Sequence, residues 1–213
     1  MNSRTIITGF FIWMQSLALL TASPATTVNS IYDENTNHYK TLGTASINLP
    51  YNLLGRIAND FKKYDLWALK GINGDSDNSR KFISILKQLL FSNNTRTNSG
   101  FFKMIYDVDL IFPFGQSDES LTFKVFEHQQ VKGLLKKFKI TLDEDSLVID
   151  TFDLSVSLME AQANKTIVEF SCTFKLVGIF DYFFSLERYR YNVEWRILKI
   201  IENLKFYAEH LKT

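Results

Sequence analysis

A chain of 213 residues with 46% hydrophobic, 22% charged and 15% aromatic residues, 19 of them Phe, can bury a sizeable core, which excludes global disorder. Twenty-four Lys and Arg against 23 Asp and Glu leave a formal charge of +1, which excludes the basic footprint of a nucleic-acid binder. One cysteine, Cys172, excludes an intrachain disulfide, so the fold must stand on its apolar core.

Residues 1–25 read as a secretory signal. Met1 to Arg4 carries one positive charge, and no residue from Thr5 to Tyr32 is charged. The apolar heart runs from Ile6 to Leu20, and small residues follow at Ala22, Ser23 and Ala25. Cleavage is expected after Ala22 or Ala25, because a cut after Ser23 would leave Pro24 directly beyond it. The apolar stretch is short for a spanning helix, which needs about 20 such residues, and Gln15 interrupts it. The expectation is a secreted, extracellular product with no stable membrane insertion after cleavage. Two triplets fit the glycan acceptor pattern, at Asn93 and Asn164, and both fall in polar stretches between periodic segments.

Residues 26–49 are polar, rich in Asn, Thr and Ser, and lack apolar periodicity, so they read as a flexible leader. A single domain is expected over 50–213. Pro50 stands near a helix start, and Leu53, Leu54, Ile57, Phe61 and Tyr64 follow at helical spacing. A short turn from Leu66 to Ile72 carries Trp67. The stretch Asn73-Gly74-Asp75-Ser76-Asp77 reads as a turn, since it lacks the closing Glu of a calcium loop. Phe82, Ile83, Ile85, Leu86, Leu89 and Leu90 predict a second helix over 79–91.

The period then becomes strand-like. Phe102 to Phe112 alternate, ending at Pro113 and Gly115, and Leu121, Phe123 and Val125 form a shorter strand. Residues 131–142 fit a helix or a strand, with a strand favoured from Lys137 because Asp143 to Ser146 resembles a hairpin turn. Phe152 to Leu158 and Val168 to Leu176 alternate on either side of Asn164. The last strand is expected at Tyr191, Val193, Trp195, Ile197 and Ile201, with Arg190, Asn192, Glu194 and Arg196 on its other face. Helices first and five or six antiparallel strands after them give α+β: N-terminal helices packed on a strongly curved, cone-like sheet.

The segment Phe61-Lys62-Lys63-Tyr64-Asp65-Leu66-Trp67 and the segment Tyr191-Asn192-Val193-Glu194-Trp195-Arg196-Ile197 resemble the nuclear transport factor 2-like superfamily, which also includes polyketide cyclase-like proteins. The resemblance spans about Pro50 to Glu202. It implies a cone-shaped pocket, and a family of isomerases, dehydratases and non-catalytic binders. It also implies self-association through the outer sheet face as a homodimer.

The chemistry favours binding. No metal-ligand spacing, phosphate loop or nucleophile motif is present, so no catalytic residue, metal or cofactor is assigned. His38 and His210 lie near the ends of the chain, and His128 beside Glu127 is the one histidine placed to face a site. Asp107 and Asp109 share a strand face, which alternation assigns to solvent. Cys172 reads as a buried thiol. The aromatic residues Tyr106, Phe170, Phe174 and Trp195 are the candidate ligand contacts, for a small apolar molecule or a protein partner. The other reading is an isomerase or dehydratase using an inward acid or base beside Tyr106.

Overall fold

A computed structural model describes residues 26–73, 83–94, 99–108, 116–129, 135–146 and 148–211. The signal segment 1–25, Asp109 and residues 130–134 therefore lie outside the described residues, as do the side chains of Asn93, Glu127 and His128.

Eight antiparallel strands form one sheet in the order β1-β2-β8-β7-β6-β5-β4-β3. They are β1 (Thr27–Asp33), β2 (His38–Ile47), β3 (Ile83–Asn94), β4 (Ser99–Val108), β5 (Gln116–Gln129), β6 (Leu135–Leu142), β7 (Ile149–Gln162) and β8 (Lys165–Leu176). Between β2 and β3 lie α1 (Tyr51–Asn59), a 3-10 turn (Phe61–Lys63) and α2 (Tyr64–Trp67). After β8 come α3 (Gly178–Tyr182), α4 (Leu186–Tyr189), a π turn (Arg190–Glu194) and α5 (Trp195–His210). The α+β class and curved antiparallel sheet hold, but among the described residues the longest helix is C-terminal, not N-terminal.

Three segments differ from expectation for identifiable reasons. Residues 26–49 form β1 and β2, not a leader. Their Thr and Ser residues suit a pleated strand, and Tyr39, Thr41, Ala45 and Ile47 of β2 are buried. Asn37 takes a left-handed φ of 54° in the connecting turn, which Asn tolerates. Of the expected helix over 79–91, residues 83–91 belong to strand β3, and 79–82 lie outside the described residues. Its register against β4 shifts between Ile83 and Ile85 and between Leu86 and Gln88, leaving Ser84 and then Lys87 as extra residues. The bulge at Lys87 puts Leu86 and Leu89, three apart, on the same inner side, which imitates helical spacing. The expected last strand at 191–201 is helix. Tyr189, Val193, Ile197, Ile201, Leu204 and Ala208 recur at helical spacing and are all buried.

The remaining strands follow their alternation. On β8, Thr166, Val168, Phe170, Cys172, Phe174 and Leu176 are buried and their neighbours are not. Residues 137–142 are strand, as favoured. The edge strand β3 is covered at Leu86, where the Asn73 side-chain amide bonds both the backbone N–H (2.8 Å) and the carbonyl (3.0 Å), as a neighbouring strand would.

The sheet bends around large inner side chains where it has no Cβ. The Phe170 ring lies over Gly43, its cross-strand partner, and the Phe91 ring lies over Gly100. A Cβ on Gly43 would sit 2.2 Å from Phe170 Cζ. Gly43→Ala is therefore expected to cost about 1–3 kcal/mol of stability, and adding Phe170→Leu should recover part of that loss. Urea unfolding of both variants checks this; an unchanged midpoint for Gly43→Ala would contradict the ring-on-glycine contact.

Candidate functional site

The C-terminal helix crosses the concave face of the sheet without filling the space beneath it. A cavity of about 190 Å³ lies between them. Phe123, Phe138, Phe152, Val156 and Phe174 line it from the strands, since their positions on β5 to β8 all point inward. Leu86, Leu89, Phe102 and Met104 close the β3–β4 side, and Tyr64 and Trp67 of α2 cover one end. Val193, Ile197, Ile200, Ile201 and Leu204 form the helix side.

Ring contacts stiffen this wall. Tyr64 and Trp67 lie 4.5 Å apart between centroids, Trp67 stacks on Tyr207, and Phe123 meets Phe152 edge-on at 5.2 Å. Phe61 joins the two sides by touching Phe91, Phe102 and Phe138.

The atoms facing the void are almost all carbon. Asn192 and Arg196 reach the wall one helical turn apart, but Arg196 Nη1 donates to the Asn192 carbonyl at 2.6 Å. Asn192 Nδ2 donates to the Arg188 carbonyl, so both side chains serve the helix backbone around the π turn. Burial lowers the Arg196 pKa to about 10, with Tyr191 opposing, so the guanidinium is still charged at neutral pH. Burial pushes the Tyr64 phenol well up, and its hydroxyl donates to the Ala58 carbonyl. Neither group exchanges a proton near neutrality.

The four expected ligand contacts separate. Phe174 lies on the cavity wall. Tyr106 is buried on the inner face of β4 away from the cavity, its phenol raised to about 12 by burial and then by Glu119. Phe170 is buried but occupied in covering Gly43. Trp195 is not on a strand at all. It is half-buried on the outer side of the helix, in a surface groove with Tyr191 and Leu198. Arg196, placed by the strand reading on the face opposite Val193 and Ile197, is buried beside them at 8% exposure. Helical spacing from Tyr189 to Ala208 was the signal for these positions.

The other candidates have ordinary surroundings. Asp107 pairs with Lys87 at 2.7 Å, and His210 stacks on Phe206 and bonds its carbonyl. His38 opens β2 and is half-buried. Among the described residues no cluster of His, Cys, Asp and Glu could hold a metal. Asn164 is exposed in the β7–β8 turn, while Thr166 of the same triplet is buried and donates to the Leu49 carbonyl at 2.7 Å. Asn93 lies on β3 opposite Gly100, not in a loop.

Solved structures share this fold in outline. It is similar to a STAR-related lipid transfer protein fragment from Xanthomonas axonopodis (TM-score 0.56, 12% identity, covering 89% of this chain and 96% of that one). It is similar to human StAR-related lipid transfer protein 5 (TM-score 0.55, 9% identity, 100% of each chain). It also resembles the Zhui aromatase/cyclase from Streptomyces sp. R1128 (TM-score 0.52, 10% identity, 81% and 94%). No protein-family model matches the chain, and no curated protein matches it in sequence. The likeness is to a START/Bet v1-like helix-grip fold, which replaces the expected nuclear transport factor 2-like one. The long helix after the last strand is the element that separates them here.

Cys172 supplies a direct check on the packing. It is 1% exposed, and burial pushes its thiol up to about 12, with Tyr189 opposing. A thiolate is the reactive form, so Cys172 should resist a thiol reagent at pH 8 and react only on unfolding. Rapid labelling of the native protein would contradict this environment.

Proposed function

We propose that this protein is a secreted binding domain that holds a small apolar molecule between its sheet and its C-terminal helix. The carbon-walled cavity carries the reading. An unfilled apolar void of this size costs on the order of a few kcal/mol. That is a large share of a typical net stability of about 5–15 kcal/mol. A ligand in the void recovers much of this loss. The names of the fold relatives, lipid transfer proteins and an aromatase/cyclase, agree with an apolar cargo.

Export is supported by residues 1–25, with their single charge, apolar heart and small-residue end. Among the described residues no helix is long and apolar enough to cross a membrane. The exposed Asn164 is suited to carry a glycan.

A second reading, a protein partner, is favoured by α3. This short helix buries none of its residues and holds Ile179 and Tyr182 outward, at 71% and 86% exposure, beside Phe183.

Expression of the full chain in a secreting cell tests the proposal. Intact mass of the medium should show a chain beginning at Ser23 or Thr26 with a removable glycan. Native mass spectrometry should show an apolar adduct that denaturation releases, and stripping it should lower the melting temperature. A cell-retained chain still carrying residues 1–25 would contradict export. A bare chain that takes up no added apolar compound would contradict the cavity's role and direct attention to α3.

A further inference from the structure

We infer that the cavity selects neutral, compact aromatic rings over acyl chains and over ligands that carry a charge into it. This deepens the binding reading above and rests on it.

Size is the first constraint. At about 190 Å³ the cavity is a little larger than an engineered apolar cavity of about 150 Å³ that takes benzene. It falls below the roughly 300 Å³ at which pockets for drug-sized ligands begin. A one- or two-ring molecule suits that space, and a membrane lipid does not.

Shape is the second. Trp67, Phe102, Phe123, Phe138, Phe152 and Phe174 present ring faces and edges to the void. Ring contacts hold several of these side chains, so the space has a defined form. An aromatic guest gains edge-to-face contacts of about 0.5–1.5 kcal/mol each beyond its buried area. A flexible chain gains none of these and loses its rotamer freedom on confinement.

Charge is the third. Arg196 is the one cationic side chain on the wall, but its Nη1 is turned to the Asn192 carbonyl and hardly any nitrogen or oxygen faces the void. A carboxylate carried inside would lose its water and meet carbon, at a cost of several kcal/mol that the Arg196 charge, behind the wall and turned to the Asn192 carbonyl, offsets only in part.

The test uses the purified secreted protein and three probes: naphthalene, 2-naphthoate and decanoate. Binding is read by calorimetry and by the fluorescence of Trp67 and its neighbours. Naphthalene should bind saturably, with a Kd at least roughly tenfold below those of the other two, a difference of about 1.4 kcal/mol. Filling the space with Ile200→Phe, or separately with Val156→Trp, should weaken naphthalene at least roughly tenfold in whichever variant still melts cooperatively. Decanoate or 2-naphthoate binding as tightly as naphthalene, and competing for the same filled site, would overturn the selectivity while leaving the binding reading intact. No binding of any probe, or naphthalene binding that both variants leave unchanged, would overturn the binding reading itself.

Discussion

Tyr189 fixes where the C-terminal helix meets the sheet, and the cavity depends on that placement. Its ring is fully buried and stacks on Tyr39 at 4.7 Å. A phenol buried that deeply needs a partner, and the Tyr189 hydroxyl finds one in Thr41, 2.6 Å away, which in turn bonds Ser30 at 2.7 Å. The chain joins β1, β2 and α4 through three buried side chains. Tyr39 adds a bond to the Phe184 carbonyl, just before the helix, and Ser185 caps that helix by accepting from the Arg188 N–H. Arg190 then reaches the Ser30 carbonyl on the edge strand. These bonds hold the start of the C-terminal helical segment at the β1–β2 edge of the sheet.

The sheet's own aromatics keep the helix at a distance. Inward positions on β5 to β8 carry Phe123, Phe138, Phe152 and Phe174, and the helix answers with aliphatic residues. The helix packs against β2, α1 and α2, so its supports lie around the cavity rather than across it. The π turn at Arg190–Glu194 adjusts the phase of the helix so that Val193 and Ile197 look inward after Tyr189. Asn192 Nδ2 and Arg196 Nη1 are turned to helix carbonyls there rather than to the cavity. An apolar wall results from this arrangement, and binding of an apolar guest is its direct physical consequence.

Much of the sheet was legible in the sequence because one face of each strand is buried. Alternation from Phe152 to Leu158 and from Val168 to Leu176 states both the strand and the face. It could not state depth, which is why Tyr106 and Phe170 share a face with Phe174 yet only Phe174 meets the cavity. β3 was hidden because a bulge at Lys87 turns period two into a spacing of three. β1 and β2 were hidden because their inward residues include Ser30 and Thr41, polar groups buried in pairs that look like a solvated segment one residue at a time. Trp195 and Arg196 were misplaced together, since Tyr191, Val193, Trp195 and Ile197 alternate by coincidence. Their helix has apolar residues on both sides, inner ones for the core and outer ones for the groove.

Binding depends on a carbon-walled space of this size between helix and sheet. A crystal of the protein pressurised with xenon tests it most directly, because xenon occupies apolar cavities and reports their position. Xenon density is expected beside Val156, Phe174 and Ile201 in the ligand-stripped protein. A crystal that takes up no xenon there, with Ile197 and Ile201 packed directly against the strands, would contradict it.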